Sequence, residues 1–315
     1  MTSSPSLFAK LPNEVLHEVF QHAAAQDTHT ALALSLVASW VRYLVEPVLY
    51  HTVVLSSARS LHSFLAALSH KSDHFGNQNV KHLGIFAQGP ADAIDRVLDA
   101  CKGVDSLACG FPLPGHPDTH GPPPSVKALE CPKEQHLLGM ATRDGWDIGM
   151  VGPTVTHLRV HLGNPKRLTV PQGEPIDAAN LDSLSYLPAL THLALVYRPT
   201  KARPVTSLVP ALKQLVSPAD TDADALPRSR LTLVLVQVLG PQAAAAVDAL
   251  NQAVLAEGGD ALRIVAERAP SSAVCQWEDS VRGGKTVWDT AEDVVQRRIA
   301  ASERTACLSR LGTEC

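Results

Sequence analysis

The sequence predicts an α/β fold: three short helices, then an elongated body of parallel strands and crossover helices, then a C-terminal capping helix. Three observations predict it. Apolar residues recur at helical spacing near the start. A short apolar phrase built around a leucine returns many times through the middle of the chain. Helical patterns fall between several of those phrases. With 315 residues, of which 45% are hydrophobic, the chain can bury one long core or two smaller ones, and a wholly disordered chain is excluded.

The first helix is read from Leu11, Val15, Leu16, Val19, Phe20 and Ala23, spaced by three and four, with Pro12 at its opening and Glu14 in its first turn. Thr30 is the expected cap of a second helix through Leu32, Leu34, Leu36 and Val37. A third helix carries Trp40, Val41, Leu44 and Val45, and Pro47 is expected to interrupt it. Three helices this short bury little core alone, so the next domain or a partner must complete them.

The body repeats one phrase: apolar, two residues, Leu, then further apolar positions. It occurs at Val80–Ile85, Val104–Cys109, Val126–Cys131, Val155–Val160 and Leu190–Leu195. Each is expected to be a strand, as are Leu231–Leu239 and Ala261–Val265. Helices are expected at Leu61–Leu68, Ala91–Cys101, Val205–Val216 and Gln242–Ala256. Strand, helix and strand in one direction make a parallel crossover, and many in series make a solenoid. An ordinary parallel α/β sheet without horseshoe curvature is the alternative. Side chains alternating away from the leucines, namely His82, Lys127, His157, Arg159, His192 and Tyr197, are the candidates for binding a target protein on the strand face. Two loops break the body: the proline-rich stretch 111–125 and the acidic stretch 217–230. From Thr286, with Asp289 in capping-box spacing, a helix bearing Trp288, Ala291, Val295 and Ile299 is expected to cover the open core of the last repeat.

Leu11-Pro12-Asn13-Glu14-Val15-Leu16, Val19-Phe20, Leu34 to Trp40 and the ending Glu46-Pro47-Val48-Leu49-Tyr50-His51-Thr52-Val53-Val54-Leu55 together resemble the F-box of fungal F-box proteins. Ala38 and Ser39 stand where the family often has Cys and a basic residue. The body is similar to the degenerate leucine-rich repeats that follow such F-boxes, with the Asn or Cys turn position mostly missing. The resemblance divides the chain into an F-box-like helical domain at 8–52, a leucine-rich-repeat-like domain at 53–285 and the capping helix at 286–312. It implies a substrate-recognition subunit of an SCF-type cullin-RING ubiquitin ligase. In that role Leu11, Pro12, Val15, Leu16, Val19, Phe20, Leu36, Val37 and Trp40 dock the Skp-type adaptor, and the repeats hold a target protein. A repeat scaffold without ligase association, its N-terminal helices serving only as a cap, is the alternative.

Other chemistry finds little support. Gly283-Gly284-Lys285-Thr286 resembles the end of a phosphate-binding loop, but Asp279 occupies the place of the leading Gly. Cys109, His116, His120 and Cys131 lack paired zinc spacing. Neither Gly-x-Ser-x-Gly nor His-Glu-x-x-His occurs, and Glu292-Asp293 is expected on a solvated helix face. No catalytic residue, cofactor or metal is expected, and the chain is read as a non-enzyme. A net charge of −4 and no basic run beyond Arg297-Arg298 disfavour nucleic acid and anionic membranes as partners. Six scattered cysteines, the absence of a signal-peptide pattern after Met1 and apolar runs well short of the ~20 residues that span a bilayer predict a cytoplasmic or nuclear protein.

Overall fold

The computed structural model describes residues 11–87, 89–109, 132–138, 151–162, 184, 187–217 and 231–311. It opens with α1 (Asn13–Gln26), α2 (Thr28–Ser35) and α3 (Ser39–His51). Asp27, rather than Thr30, caps α2: its carboxylate accepts from the Thr30 amide at 2.8 Å and from the Thr30 hydroxyl at 2.6 Å. Pro47 does not end α3 but lies inside it. The proline forfeits one backbone hydrogen bond. Burial of Val41 and Val45 against Ala24 and Ala31, with Phe20, Leu34 and Leu49 packed around them, holds the helix together across it.

Among the described residues the strands are β1 (Thr52–Leu55), β2 (His82–Ile85), β3 (Ser106–Cys109), β4 (Glu134–Leu137), β5 (His157–His161), β6 (His192–Tyr197), β7 (Leu233–Val238) and β8 (Ile264–Arg268). All pair in parallel, and their order across the single sheet is their order along the chain. The helices between them are α4 (Ala58–Leu68), α5 (Phe75–Asn79), α6 (Ala91–Ala100), α7 (Val209–Val216) and α8 (Ala243–Glu257). After β8 come α9 (Ala273–Val281) and α10 (Val287–Leu311).

The expected strand at Val126–Cys131, with Lys127, lies outside the described residues. The strand between β3 and β5 is Glu134–Leu137, where Gln135 takes the register position held by Leu107 and Leu158 on either side. This glutamine is fully buried, and the Gly152 amide donates to its side-chain oxygen at 3.2 Å. That hydrogen bond lets a polar residue occupy a leucine site.

Period-two alternation gives the sheet two faces. On one, Leu55, Leu83, Ile85 and Leu107 pack with Leu61, Ile94 and Leu98 of α4 and α6. Farther along, Leu158, Leu193, Leu195, Val234 and Ile264 pack with Leu212, Leu250 and Val254 of α7 and α8. The opposite strand face is also covered. Trp277 of α9 packs on Ala108 and Leu138, and Val287, Trp288, Ala291 and Val295 of α10 pack on Ala194, Leu233, Leu235 and Val265. The C-terminal segment therefore does more than cap the last repeat: it lies across the strand face, beginning with α9 at Ala273. The expected capping box is present, with Thr286 and Asp289 exchanging hydrogen bonds of 2.7 and 3.1 Å. No helix among the described residues is long and apolar enough to cross a membrane.

Candidate functional site

Two surfaces carry the residues singled out by the sequence. The first is the outer side of the N-terminal helices. Of nine large hydrophobic side chains exposed among the described residues, eight lie between Leu11 and Tyr43, and the ninth is Leu255. Leu11, Val15 and Val19 are exposed along α1. Leu36 (78% exposed) and Val37 (66%) stand in the turn after α2, and Trp40 (50%) and Tyr43 (77%) follow on α3. Pro12 is exposed, while Leu16 is buried and Phe20 is half-buried. Phe20 meets Trp40 edge to face, with ring centroids 5.4 Å apart.

Backbone bonds from the Leu36 and Val37 amides to the Ala33 and Leu34 carbonyls, both 3.1 Å, close the turn. The Arg42 guanidinium donates to the Ser35 carbonyl at 3.0 Å, fastening the end of α2 to α3. The display of Leu36 and Val37 is thus a built turn. Leu32, read from the sequence only as a position of the second helix, and Tyr43, not marked by it, are also exposed. Tyr43 falls three residues after Trp40, the spacing of a shared helix face.

The three helices join the body through their other side. α3 runs directly into β1, Tyr50 packs on Phe64 and Phe75, and Lys71 pairs with Glu46 at 2.6 Å. Arg282, which follows the last residue of α9, donates to the Thr28 hydroxyl at 2.9 Å beside a cleft of about 700 Å³, whose lining includes Ala24, Ala31, Pro47, Val48 and Leu49.

The second surface is the strand face. Parallel register places Thr52, His82, Ser106, Glu134, His157 and His192 in one row, and Gly84, Ala108, His136, Arg159 and Ala194 in the next. His157 and His192 stack with centroids 4.1 Å apart, and His192 Nε2 lies 2.8 Å from Glu292 of α10. Glu134 is the hub. One oxygen accepts from Trp288 Nε1 at 2.7 Å and lies 2.8 Å from His136 Nε2. The other accepts from the Ser106 hydroxyl at 3.0 Å, and that hydroxyl accepts from Trp277 Nε1 at 3.0 Å. The His136 contact is at ion-pairing distance but off the line of a hydrogen bond.

Burial opposes charge on Glu134, but His136 and the hydrogen bonds from Trp288 and Ser106 outweigh it and hold the carboxyl at about 2. Burial pushes His157 and His161 down to about 4, with His192 adding to the first and Arg159 to the second. Gly84 leaves room for Trp277, since a Cβ there would meet the indole at 2.6 Å.

The strand-face candidates fare unevenly. His82, His157 and His192 are half-buried in one row. Arg159 is wholly enclosed, so it is unavailable to a target protein. Tyr197 shares its parity with Leu193 and Leu195 and therefore faces the helix-packed core, where its hydroxyl donates to the Arg203 carbonyl at 2.9 Å. Glu134, His136 and Trp277, missed by the sequence reading, are the centre of the polar network. Cys109 is buried on the core side of β3. Glu292 lies on an exposed helix face and also reaches His192. Among the described residues no group of three or more His, Cys, Asp or Glu is placed to hold a metal ion.

Comparison with known proteins finds no matching family model, no matching curated protein and no matching solved structure.

Proposed function

We propose that the chain is a substrate-recognition subunit of an SCF-type cullin-RING ubiquitin ligase, with its N-terminal helices docking the Skp-type adaptor and its sheet body holding a target protein. The observation that carries this reading is the concentration of exposed apolar side chains on the outer side of α1–α3. Monomeric proteins rarely leave a contiguous apolar patch to water unless it binds something. Seven of the nine residues matching the F-box pattern are exposed: Leu11, Pro12, Val15, Val19, Leu36, Val37 and Trp40. Leu16 is buried, and Phe20 is half-buried against Trp40. The body is read as a degenerate leucine-rich-repeat solenoid, a reading supported by eight parallel strands following one another in chain order.

The alternative, a repeat scaffold with a helical cap, is supported by the direct run of α3 into β1 and by the Lys71–Glu46 and Arg282–Thr28 contacts. It leaves the outer apolar side without a use.

The test is co-purification of the full chain with a Skp-type adaptor, beside a Leu36→Asp/Val37→Asp variant. Both positions are highly exposed, so the variant should keep the parent's melting temperature. Adaptor bound by the parent and lost by the folded variant supports the ligase reading. No adaptor bound by the parent removes ubiquitin transfer and leaves the scaffold.

A further inference from the structure

On the strand face one cluster is built but left unsatisfied. Arg159 is 0% exposed, and none of its three guanidinium nitrogens has a hydrogen-bond partner among the described residues. Beside it in the register lies His136, equally enclosed, and two residues along the same strand on the same side lies His161, whose Nε2 has no partner. In the row of His161, across Val196, Gln237 is fully buried and turns its amide N–H to Glu267 at 2.6 Å, which leaves its carbonyl oxygen without a donor. The carboxylates of Glu267 and Glu134 both favour the positive charge of Arg159, but neither forms a hydrogen bond or ion pair with it.

Burying a charged guanidinium without acceptors is costly. Native proteins leave few such groups, and each calls for an account. A guanidinium presents a planar fork of donors that matches an oxyanion with two hydrogen bonds. The histidines can add donors, while the free Gln237 carbonyl wants a donor in return. A protonated phosphate offers acceptor oxygens and an O–H together. The enclosure of Arg159, His136 and Gln237 admits a free ion and excludes a group still attached to a polypeptide.

We infer that Arg159, His136, His161 and Gln237 form an internal site for a small phosphate-type oxyanion beneath the C-terminal cover. The inference is independent of the ligase reading, because it concerns only the inner strand face.

The experiment is calorimetric titration of the full chain with inorganic phosphate, and in a second arm with glycerol phosphate, at ionic strength matched with sodium chloride. The parent should bind phosphate, and its melting temperature should rise by about 2–4 °C relative to the chloride control. Binding of the phosphomonoester alone would keep the phosphoryl chemistry and change its source. Arg159→Met should lose the phosphate-dependent rise and melt no lower than the parent in chloride, since it removes a buried guanidinium that has no hydrogen-bond partner among the described residues. Arg159→Lys, which keeps the charge but not the fork, should bind on the order of tenfold more weakly. No binding of either compound by the parent would overturn the site. So would undiminished binding in the two variants, which would mean an adventitious ion only.

Discussion

Trp288 donates its indole N–H to Glu134 at 2.7 Å, joining the first turn of α10 to β4 across 154 residues of sequence. With the Trp277–Ser106 bond it pins the C-terminal helices to the strand face. Trp288 is buried, so Trp288→Ala should cost about 3–5 kcal/mol through lost packing. Trp288→Phe keeps most of the ring and removes one donor to an ionised carboxylate, costing about 1–3 kcal/mol. Urea unfolding of both variants measures this. A Trp288→Ala variant as stable as the parent would mean that α10 does not rest on the strand face.

The strand-face groups set a pH dependence. His157 and His161 are held at about 4, below the ordinary 6.5, because charging them in place is unfavourable. The unfolded chain therefore binds more protons than the native one between these values. Their contribution is fully present above pH 6.5 and is lost as pH falls toward 4, with a slope of up to about 1.4 kcal/mol per pH unit for each ring. Glu134, held at about 2 against 4.5, acts next: its contribution is present above 4.5 and is lost on the way down to 2. Glu267, raised by burial, opposes them, favouring the native state as pH falls through its window. The net expectation is a steady loss of stability from pH 6.5 downward in denaturant titrations. A His157→Asn variant should flatten the upper part of that loss; an unchanged profile would contradict the assignment.

Much of the sheet was legible because a buried parallel strand shows itself as a short apolar run anchored by leucine, as at Leu83, Leu107, Leu158 and Leu193. β4 was not, because Gln135 fills the anchor and the hydrogen bond that makes this tolerable comes from Gly152, a residue no local pattern links to it. Alternation separates two faces but does not say which one meets water. His82, His157, Arg159 and His192 were therefore read as a binding surface, although α9 and α10 lie across that face. Tyr197 fell on the core side by parity alone. The N-terminal face was more legible: helical spacing marked its apolar residues, and only their division between support, as at Leu16, and display, as at Val37, required the structure.

Gly84 is a packing requirement and not a turn. Its Cα faces the Trp277 ring, and an added Cβ would sit 2.6 Å from one indole carbon. The indole cannot yield easily, since it is 1% exposed and tied to Ser106. Gly84→Ala should therefore destabilise the chain by about 1–3 kcal/mol, read by thermal unfolding. Combining it with Trp277→Phe should cost less than the sum of the two single changes, because they act on the same contact.

Asn251 of α8 closes the outer edge of the sheet. Its side chain accepts from the Ala266 amide and donates to the Ala266 carbonyl, each at 3.0 Å, and its oxygen also takes Arg298 Nη2 at 2.7 Å. Arg298 Nη1 donates to the Ile264 carbonyl at 2.6 Å. An open edge strand is a template for pairing with another chain. Asn251→Ala should leave several polar groups unsatisfied, cost on the order of 2–4 kcal/mol, and speed hydrogen exchange at the Ala266 amide. Aggregation should rise with it, measured by light scattering during heating.

The N-terminal helices should separate cleanly into core and display. Val41 and Val45 are 0% exposed within the small helical core, so Val41→Ala or Val45→Ala should each cost about 1–3 kcal/mol. Leu36→Ser and Val37→Ser, at positions mostly in water, should stay within about 0.5 kcal/mol of the parent. Arg42→Ala occupies the middle ground, since it removes the bond to the Ser35 carbonyl that fastens the turn bearing both residues. It should leave global stability nearly unchanged while speeding hydrogen exchange at the Leu36 and Val37 amides, whose bonds to Ala33 and Leu34 close that turn. If Leu36→Ser or Val37→Ser instead destabilises the chain as much as Val41→Ala, the two residues are buried in solution and the outer face is not free to bind an adaptor.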